Sequence, residues 1–438
     1  MSAFEPDDTA SQPPVEGTDL VYALGSSRRV RLRDAEVELR GLWETTAREA
    51  EQAGQGGVLR LREINLVVYA AGEAVAERVS QVILRLAERH PARAVVLLDV
   101  GLPAPGEGLT DSWVSAACYL TAHGERHVCW EQVTIPAYGK AVELLDAAAM
   151  PVLVPHLPTV LWWPGQPELE GDTFRRLGDV TDLLVVDSAG FAEPVRGLCR
   201  VAAVVRDDSR GFHVNDLNWA RLTTWREMTA AVFDDASRLE WLSRIRRLKV
   251  VFGAEDTYER PDRSIPPAAS RALLFVGWFA SRLGWKVAGS EWMLEGSSAR
   301  TVLHRPAGSG FWNGPAGSDE AFADDDAVEV VLQSEALPLD ASGGLVTVEA
   351  EIAGASGDGG SFVLSIGRVG TSCICETRVR GPADGPISHT ADASPIPEDR
   401  LLAEELDYLG PDRVFEESLL LAAALAALPG SDGIGRDT

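Results

Sequence analysis

Apolar positions in the first half of the chain fall into short blocks that alternate between two periods. Residues 64–70 form an apolar run of strand length. Residues 73–89 carry Val75, Val79, Val82, Ile83 and Leu86 at helical spacing, and 93–100 are a second buried run. Strand, helix, strand in that order implies a right-handed crossover and a parallel pair. Residues 114–122 and 127–135 predict a hairpin, 140–149 a helix, and 160–163 a strand ended by Pro164-Gly165. A short helix over 173–177 and strands over 183–186 and 201–205 follow. Ahead of all these, residues 32–55 are Arg- and Glu-rich with an amphipathic period, the pattern of a helix on a domain edge closed by Gly54 to Gly57.

The second half has a different character. Residues 237–248 place Leu239, Leu242, Ile245 and Leu248 in helical register, with a strand over 249–252. After the Pro-rich break at 261–267, residues 268–283 are apolar nearly all round, so the helix they predict is buried, with Gly284 as its stop. Strands are expected over 302–304, 328–332, 345–352, 361–369 and 372–379, and closing helices over 398–409 and 412–428. The fold class expected is an α/β N-terminal domain with a mixed, largely parallel sheet. An α+β C-terminal domain follows, with an antiparallel meander and packing helices. The expected boundaries are 1–18 as a disordered tail, 19–212 and 213–429 as the two domains, and 430–438 as a second tail.

Between the halves lies the densest stretch, residues 215–227. Asn215 or Asp216 can cap a helix, and Trp219, Leu222, Trp225, Met228, Val232 and Phe233 share one half of a helical wheel running to about residue 233. Asn218 belongs to the same string. Arg221 and Arg226 fall inside that apolar face. A guanidinium stays charged, so each must meet a carboxylate, carbonyls or an anionic ligand. Two readings stay open: a structural ion pair with an aspartate, or an anion site or protein hot spot.

Composition narrows the classes. With 438 residues, 45% hydrophobic and 24% charged, the chain is globular and long enough for two domains. A net charge of -26 argues against a general nucleic-acid binder. No apolar run reaches the roughly 20 residues of a membrane span. Residues 1–17 have no apolar core of a signal peptide, so the expected compartment is the cytoplasm. The cysteines (Cys118, Cys129, Cys199, Cys373, Cys375) lack metal spacing and read as reduced thiols, with Cys373 and Cys375 on one face of a strand.

Catalytic signatures are missing. There is no G-x-G-x-x-G after the first strand, no phosphate loop, no zinc motif and no nucleophile elbow. Gly308 to Gly317 and Gly354 to Gly360 read as hairpin turns. His156 reads as a loop histidine. Asp187 and Ser188, at the end of the 183–186 strand, are the best isolated candidates, because α/β sheets bind ligands at that edge; a cap on the next turn explains them equally well. Trp162 and Trp163 point to opposite faces of their strand, one expected against a helix and the other toward a cleft or partner.

The string Asp216-Leu217-Asn218-Trp219-Ala220-Arg221-Leu222 with Trp225-Arg226-Glu227 resembles the signature of the OpcA family, glucose-6-phosphate dehydrogenase assembly and activator proteins of actinobacteria and cyanobacteria. Residues 155–164, Val186-Asp187-Ser188, 277–285 and 412–419 agree with it, over a span of about 20 to 428. The resemblance implies a non-enzymatic protein without cofactor or metal. Its implied partner is glucose-6-phosphate dehydrogenase, assembled or allosterically activated in support of the oxidative pentose phosphate pathway and NADPH supply. Cyanobacterial members are redox-responsive through cysteines, but no motif here carries that to a particular residue. Trp162, Trp163, Asp187, Ser188, Asp216, Asn218, Trp219, Arg221, Trp225 and Arg226 are the candidates for partner contact or structural hub. The rival expectation is a sugar-phosphate or nucleotide-phosphate enzyme or sensor, with Arg221 and Arg226 on the phosphate beside Asp187.

Overall fold

The computed structural model describes residues 22–52, 58–59, 62–87, 89–101, 112–120, 127–207, 209–254, 267–287, 291–306, 326–336, 344–354, 361–368, 373–380 and 389–428. The expected terminal tails, the Gly308 to Gly317 segment, residues 355–360, the Gly54 to Gly57 closure and most of the Pro-rich break lie outside them. The chain forms two units. One comprises Met1–Val186, Gly211–His213 and Pro397–Gly410; the other comprises Asp187–Arg210, Val214–Ile396 and Pro411–Thr438.

In the first unit the strands are β1 (Tyr22–Val30), β2 (Val58–Leu59), β3 (Ile64–Ala71), β4 (Ala92–Asp99), β5 (Ser112–Leu120), β6 (His127–Ala137), β7 (Thr159–Trp163) and β8 (Leu183–Val186). Its helices are α1 (Ala35–Gln52), α2 (Glu73–Leu86), α3 (Leu145–Ala149) and α4 (Asp172–Gly178). The sheet runs β1-β5-β6-β4-β3-β7-β8, with β2 against β6. β6, β4, β3, β7 and β8 are mutually parallel, and β1 and β5 extend the edge antiparallel. Taken alone, the parallel strands follow the order 3-2-1-4-5 of doubly wound dinucleotide folds, with the reversal between β3 and β7. Register sets Cys118 opposite Cys129 in the β5/β6 hairpin. β1 was not expected from the sequence.

Helix α1 buries Ala35, Leu39, Leu42 and Trp43 on one stripe, and it lies against β1 and β5. Beneath it sits a buried ionic group. Arg93 on β4 and Glu131 on β6 are register partners, and Arg93 Nε donates to Glu131 Oε1 at 2.6 Å. Arg93 also reaches Glu36 at 2.8 Å and the Val152 carbonyl at 2.7 Å. Arg62 pairs with the same glutamate, whose Oε2 accepts from Trp43 Nε1 at 2.9 Å. The late helix Glu398–Leu406 packs on α2 through buried Leu401 and Leu402. Arg78–Glu398, Arg85–Asp399 and Arg89–Asp407 pairs flank it; they are exposed enough that the apolar contact dominates.

β9 (His213–Asp216) begins in the first unit and ends in the second, whose middle helices flank it in sequence. These are α5 (Pro194–Arg206), α6 (Leu217–Ala220), α7 (Thr223–Val232), α8 (Leu239–Leu242) and α9 (Ser270–Arg282). The strands are β10 (Ile245–Ala254), β11 (Met293–Glu295), β12 (Ser298–His304), β13 (Ala327–Ala336), β14 (Leu345–Ala353), β15 (Ser361–Arg368), β16 (Ile374–Arg380) and β17 (Thr390–Asp392). Helix α10 is the Glu398–Leu406 helix of the first unit, and α11 (Arg413–Ala426) closes the second. The sheet order is β11-β12-β13-β10-β14-β15-β16-β17. β10 is central, parallel to β13 and antiparallel to β14, so two antiparallel meanders flank one parallel contact. Helix α9 is buried almost all round and packs on α11, which also covers α5.

Three expected elements are corrected. Residues 201–205 are not a strand but the last turns of α5. Pro194 at its first turn, then Leu198, Val201, Ala202 and Val205, mark one buried helical stripe that a five-residue window hides. The expected 237–248 helix stops at Leu242. Ile245 and Leu248 are strand residues, and a register shift between Ile245 and Arg247 lets both point inward at a spacing of three. The expected 215–233 helix breaks after Ala220. Leu222 N–H donates to the Trp219 carbonyl in a tighter turn, and Thr223 Oγ1 takes the Ala220 carbonyl at 2.8 Å.

Candidate functional site

The carboxyl edge of the parallel strands is where a doubly wound sheet would hold a dinucleotide. Here chain side chains fill it. Val68 on β3 pairs with Trp162 on β7, so Tyr69 and Trp163 are neighbours, and their rings stack at 4.1 Å and 14°. Phe174 of α4 tilts onto Trp163 at 5.7 Å, and Phe212 meets Phe174 edge-on. Tyr69 OH donates to Asp99 Oδ2 at 3.0 Å. Asp99 ends β4, the position of a ribose-binding acid in such folds. Burial, Asp99 and Glu168 together push the Tyr69 hydroxyl well above its ordinary pKa, which keeps it a donor. The turn from β3 to α2 has a single glycine, Gly72 at φ 94°, and Glu73 occupies the helix's first turn, where a pyrophosphate would need positive charge.

Trp162 and Trp163 are both core residues, 0% and 4% exposed. The expectation that one faces a cleft or partner is corrected: with α4 on one face of β7 and the strand internal to the sheet, both faces are covered. His156 is an exposed loop residue at φ 68°.

The other eight candidates lie in the second unit, and seven of them, all but Trp225, form one cluster. Asp216 caps α6: its Oδ1 accepts from the N–H groups of Asn218 and Ser188, both at 2.9 Å. Asn218 Nδ2 donates to Ser188 Oγ at 3.0 Å and Ser270 Oγ at 3.3 Å, while Asn218 Oδ1 accepts from Arg271 Nε at 2.8 Å. Arg221 grips Asp187 with two parallel bonds of 2.7 and 2.8 Å. Trp219 Nε1 donates to Asp412 Oδ2 at 3.0 Å, and its ring lies 5.8 Å from Phe415. Arg226 stacks its guanidinium 3.7 Å over the Trp219 ring. Trp225 is 4% exposed.

Of the two readings of these half-buried arginines, the ion pair holds for Arg221. Arg226 is answered by an aromatic face, and neither guanidinium has the arrangement expected of a phosphate clamp with Asp187. Arg271, Ser270 and Asp412 completed the cluster without being anticipated. An arginine opening an otherwise apolar helix was the available signal for Arg271.

Asp216 is fully buried with one oxygen unpartnered. Burial and the neighbouring Asp187 carboxylate raise its pKa from 3.8 to about 6. A carboxyl raised on folding stabilises the fold while protonated and loses that contribution as pH climbs from about 4 through 6. Asp216→Asn keeps the two accepted bonds and removes the titration. Its stability should therefore gain on the wild type by about 1.4 kcal/mol per pH unit at the steepest part of that window. Urea midpoints of both proteins at pH 4, 5, 6 and 7 check this; a constant difference would discard it.

These features define a class: a doubly wound sheet with its ligand crevice filled, and an α+β unit organised on a tryptophan–arginine cluster. A family model described as glucose-6-phosphate dehydrogenase subunit N-terminal domain matches residues 83–203, and one described as the C-terminal domain of that subunit matches 212–419. The chain belongs to the OpcA family. An OxPP cycle protein OpcA of Nostoc punctiforme is 27% identical over 348 residues, covering 78% of this chain and 67% of its own. That of Synechococcus elongatus is 27% identical over 344 residues, covering 77% and 68%. That of Synechocystis is 29% identical over 201 residues, and the match spans only 38% of that relative. Among solved structures, glucose-6-phosphate 1-dehydrogenase from Mycobacterium avium aligns over 83% of this chain and 91% of its own at 10% identity and a TM-score of 0.40, too low to bear on fold or function. Among the described residues no helix is long and apolar enough to cross a membrane.

Proposed function

We propose that this chain is a non-catalytic partner of glucose-6-phosphate dehydrogenase, which it binds in the cytoplasm and assembles or activates allosterically. It thereby supports the oxidative pentose phosphate pathway and NADPH supply. The observation that carries the reading is that both halves of the chain, 83–203 and 212–419, match models described as parts of a glucose-6-phosphate dehydrogenase subunit. The non-catalytic half is supported by the filled crevice. A dinucleotide would have to displace the Tyr69–Trp163 stack, break the Tyr69–Asp99 bond and place its pyrophosphate beside Glu73. An activator must bind the active conformation of its partner better than the inactive one, and only that difference shifts the equilibrium.

Buried Trp219 and Trp225 serve this function as the frame of the second unit, and its exposed surfaces make the contact. The test is a titration of purified dehydrogenase from the same cell with this chain, across substrate concentrations. A saturable rise in kcat or fall in apparent KM, with co-elution, is expected. No kinetic change and no co-elution would overturn the reading. Incubated alone with glucose 6-phosphate and NADP, the chain should form no reduced nicotinamide; product proportional to chain would overturn the non-catalytic half.

A further inference from the structure

The eight-stranded sheet of the second unit has two unlike faces. Helices α7, α8 and α9 pack on it, and Leu248, Val250, Ala350 and Leu364, on the face they cover, are buried. The alternate residues form the opposite face. There Arg247 on β10 pairs with Glu329 of β13 and, at 3.6 Å, with Glu351 of β14, while Lys249 lies 3.9 Å from Glu349. The side chains of Arg247 and Glu351 are 46% and 39% exposed, and those of Lys249 and Glu349 31% and 32%. From β12 to β16 the face spans strands of 7 to 10 residues. Six strands about 4.8 Å apart, rising about 3.3 Å per residue, make it about 24 Å wide and about 23–33 Å long. That is the order of the roughly 800 Å² each partner buries in a specific interface.

The face is complementary to itself. Across the β10/β14 ladder, register sets Arg247 opposite Glu351, Lys249 opposite Glu349 and Val251 opposite Thr347. One strand further out on either side, Val331 and Gln333 of β13 share those rows with Ser365 and Gly367 of β15. Basic and bulky residues therefore stand on one side of the β10/β14 line, and acidic and small ones on the other. Glu329 breaks the pattern and is already engaged by Arg247. A two-fold axis lying in the face along that line places each side over the opposite side of a second copy. Arg247 then meets the second copy's Glu351, Lys249 its Glu349, Val251 its Thr347 and Val331 its Ser365, each contact occurring twice. The rotation of about 30° between packed sheets displaces residues beside the axis least.

The central square of Arg247, Lys249, Glu349 and Glu351 is electrically neutral, in a chain whose net charge is -26. Two copies with that charge repel on average, and here each cation gains a second carboxylate instead. We propose that this face of the second unit's sheet is the docking surface for a second copy of the chain, in a two-fold dimer centred on the β10/β14 line. Charge at the centre of the contact makes the association sensitive to salt.

Sedimentation velocity of the full chain over a range of concentrations tests it. A concentration-dependent dimer that weakens as salt rises is expected; monomer at every concentration, or a dimer indifferent to salt, overturns the proposal. Arg247→Glu sets two glutamates against each other across the axis, and Glu351→Arg sets two arginines there. Each should weaken self-association tenfold or more. Mixed in equal amounts, the two variants should associate with one another, because each supplies the charge the other lacks. This rescue between chains requires the two positions to face each other, so its absence with both variants folded overturns the proposal. Circular dichroism of each variant separates lost association from lost fold. The neutral variant Lys249→Gln/Glu349→Gln keeps the test available if a reversed charge prevents folding: it should dimerise several-fold more weakly, and wild-type association would overturn the proposal. The chain is measured alone, so the result is independent of whether it binds the dehydrogenase.

Discussion

Glu131→Gln is expected to destabilise the first unit by about 3–5 kcal/mol, the cost of leaving a buried charge without its partner. Glu131 is fully buried, and Arg93 on the neighbouring strand is 1% exposed. Donors from Arg93, Arg62 and Trp43 all end on its two oxygens. An amide accepts at one end only, so the variant's side chain must turn its NH2 either toward a guanidinium or toward the Trp43 N–H. Glu36 compensates Arg93 only in part, because that carboxylate is itself half exposed and screened. Arg93→Met alone should cost a similar amount, by stranding the glutamate. The double variant Arg93→Met/Glu131→Leu should be less damaged than either single one, since an apolar pair of similar volume removes the desolvation of both charges. Urea denaturation, with hydrogen exchange at β4 and β6 amides to assign the transition, gives the three values. A Glu131→Gln loss under about 1 kcal/mol, or additive single effects, would refute the account of this cluster as an interdependent ionic group.

The alternation of periods over 64–186 was legible because buried parallel strands and their crossover helices are separated by turn residues, and each block is long enough to show its period. What failed were places where tertiary structure changes the period itself. The bulge in β10 disguised a strand as helix between Leu239 and Leu248. The run Val201–Val205 disguised a helix as strand, because its polar positions lie outside the run. Central β10 has its parallel partner β13 far along the chain, so the pairing carries no local signal. The candidate site divides the same way. Asp187, Ser188, Asp216, Asn218, Trp219 and Arg221 were found as strings, and the structure brings the 216–227 and 412–419 strings together through Trp219, Asp412 and Phe415. The filling of the crevice was not legible: Tyr69 and Asp99 belong to different strands, and only the register of β3, β4 and β7 makes them neighbours of Trp163. Arg271 was missed for the same reason, since it opens a helix far along the chain from the strings it joins.

Gly277→Ala should lower the stability of the second unit by about 2–3 kcal/mol, although Ala is the better helix former by about 1 kcal/mol. Gly277 sits in the interior of α9 where that helix crosses α11. A Cβ there would stand 2.2 Å from the Ser418 carbonyl oxygen and 3.0 Å from the Ala422 N–H nitrogen. Both are backbone atoms of a helix whose own face is buried at Phe415, Leu419, Ala422 and Ala423, so neither can rotate aside. The helices must separate, and the contacts of Leu273, Leu274 and Phe275 loosen with them. Gly41 supplies the contrast. It also lies inside a helix, α1, but it is exposed and a Cβ there meets nothing within 4 Å. Gly41→Ala should therefore stabilise by about 0.5–1 kcal/mol through the lower entropy of the unfolded chain. Adding Ala422→Gly to Gly277→Ala removes a methyl but not the Ser418 oxygen, so the double variant should not recover. Thermal or urea unfolding of the four proteins reads the signs directly. Stabilisation by Gly277→Ala, or rescue by Ala422→Gly, would mean that the two helices have room the close approach at Ser418 denies, and that this contact does not set their spacing.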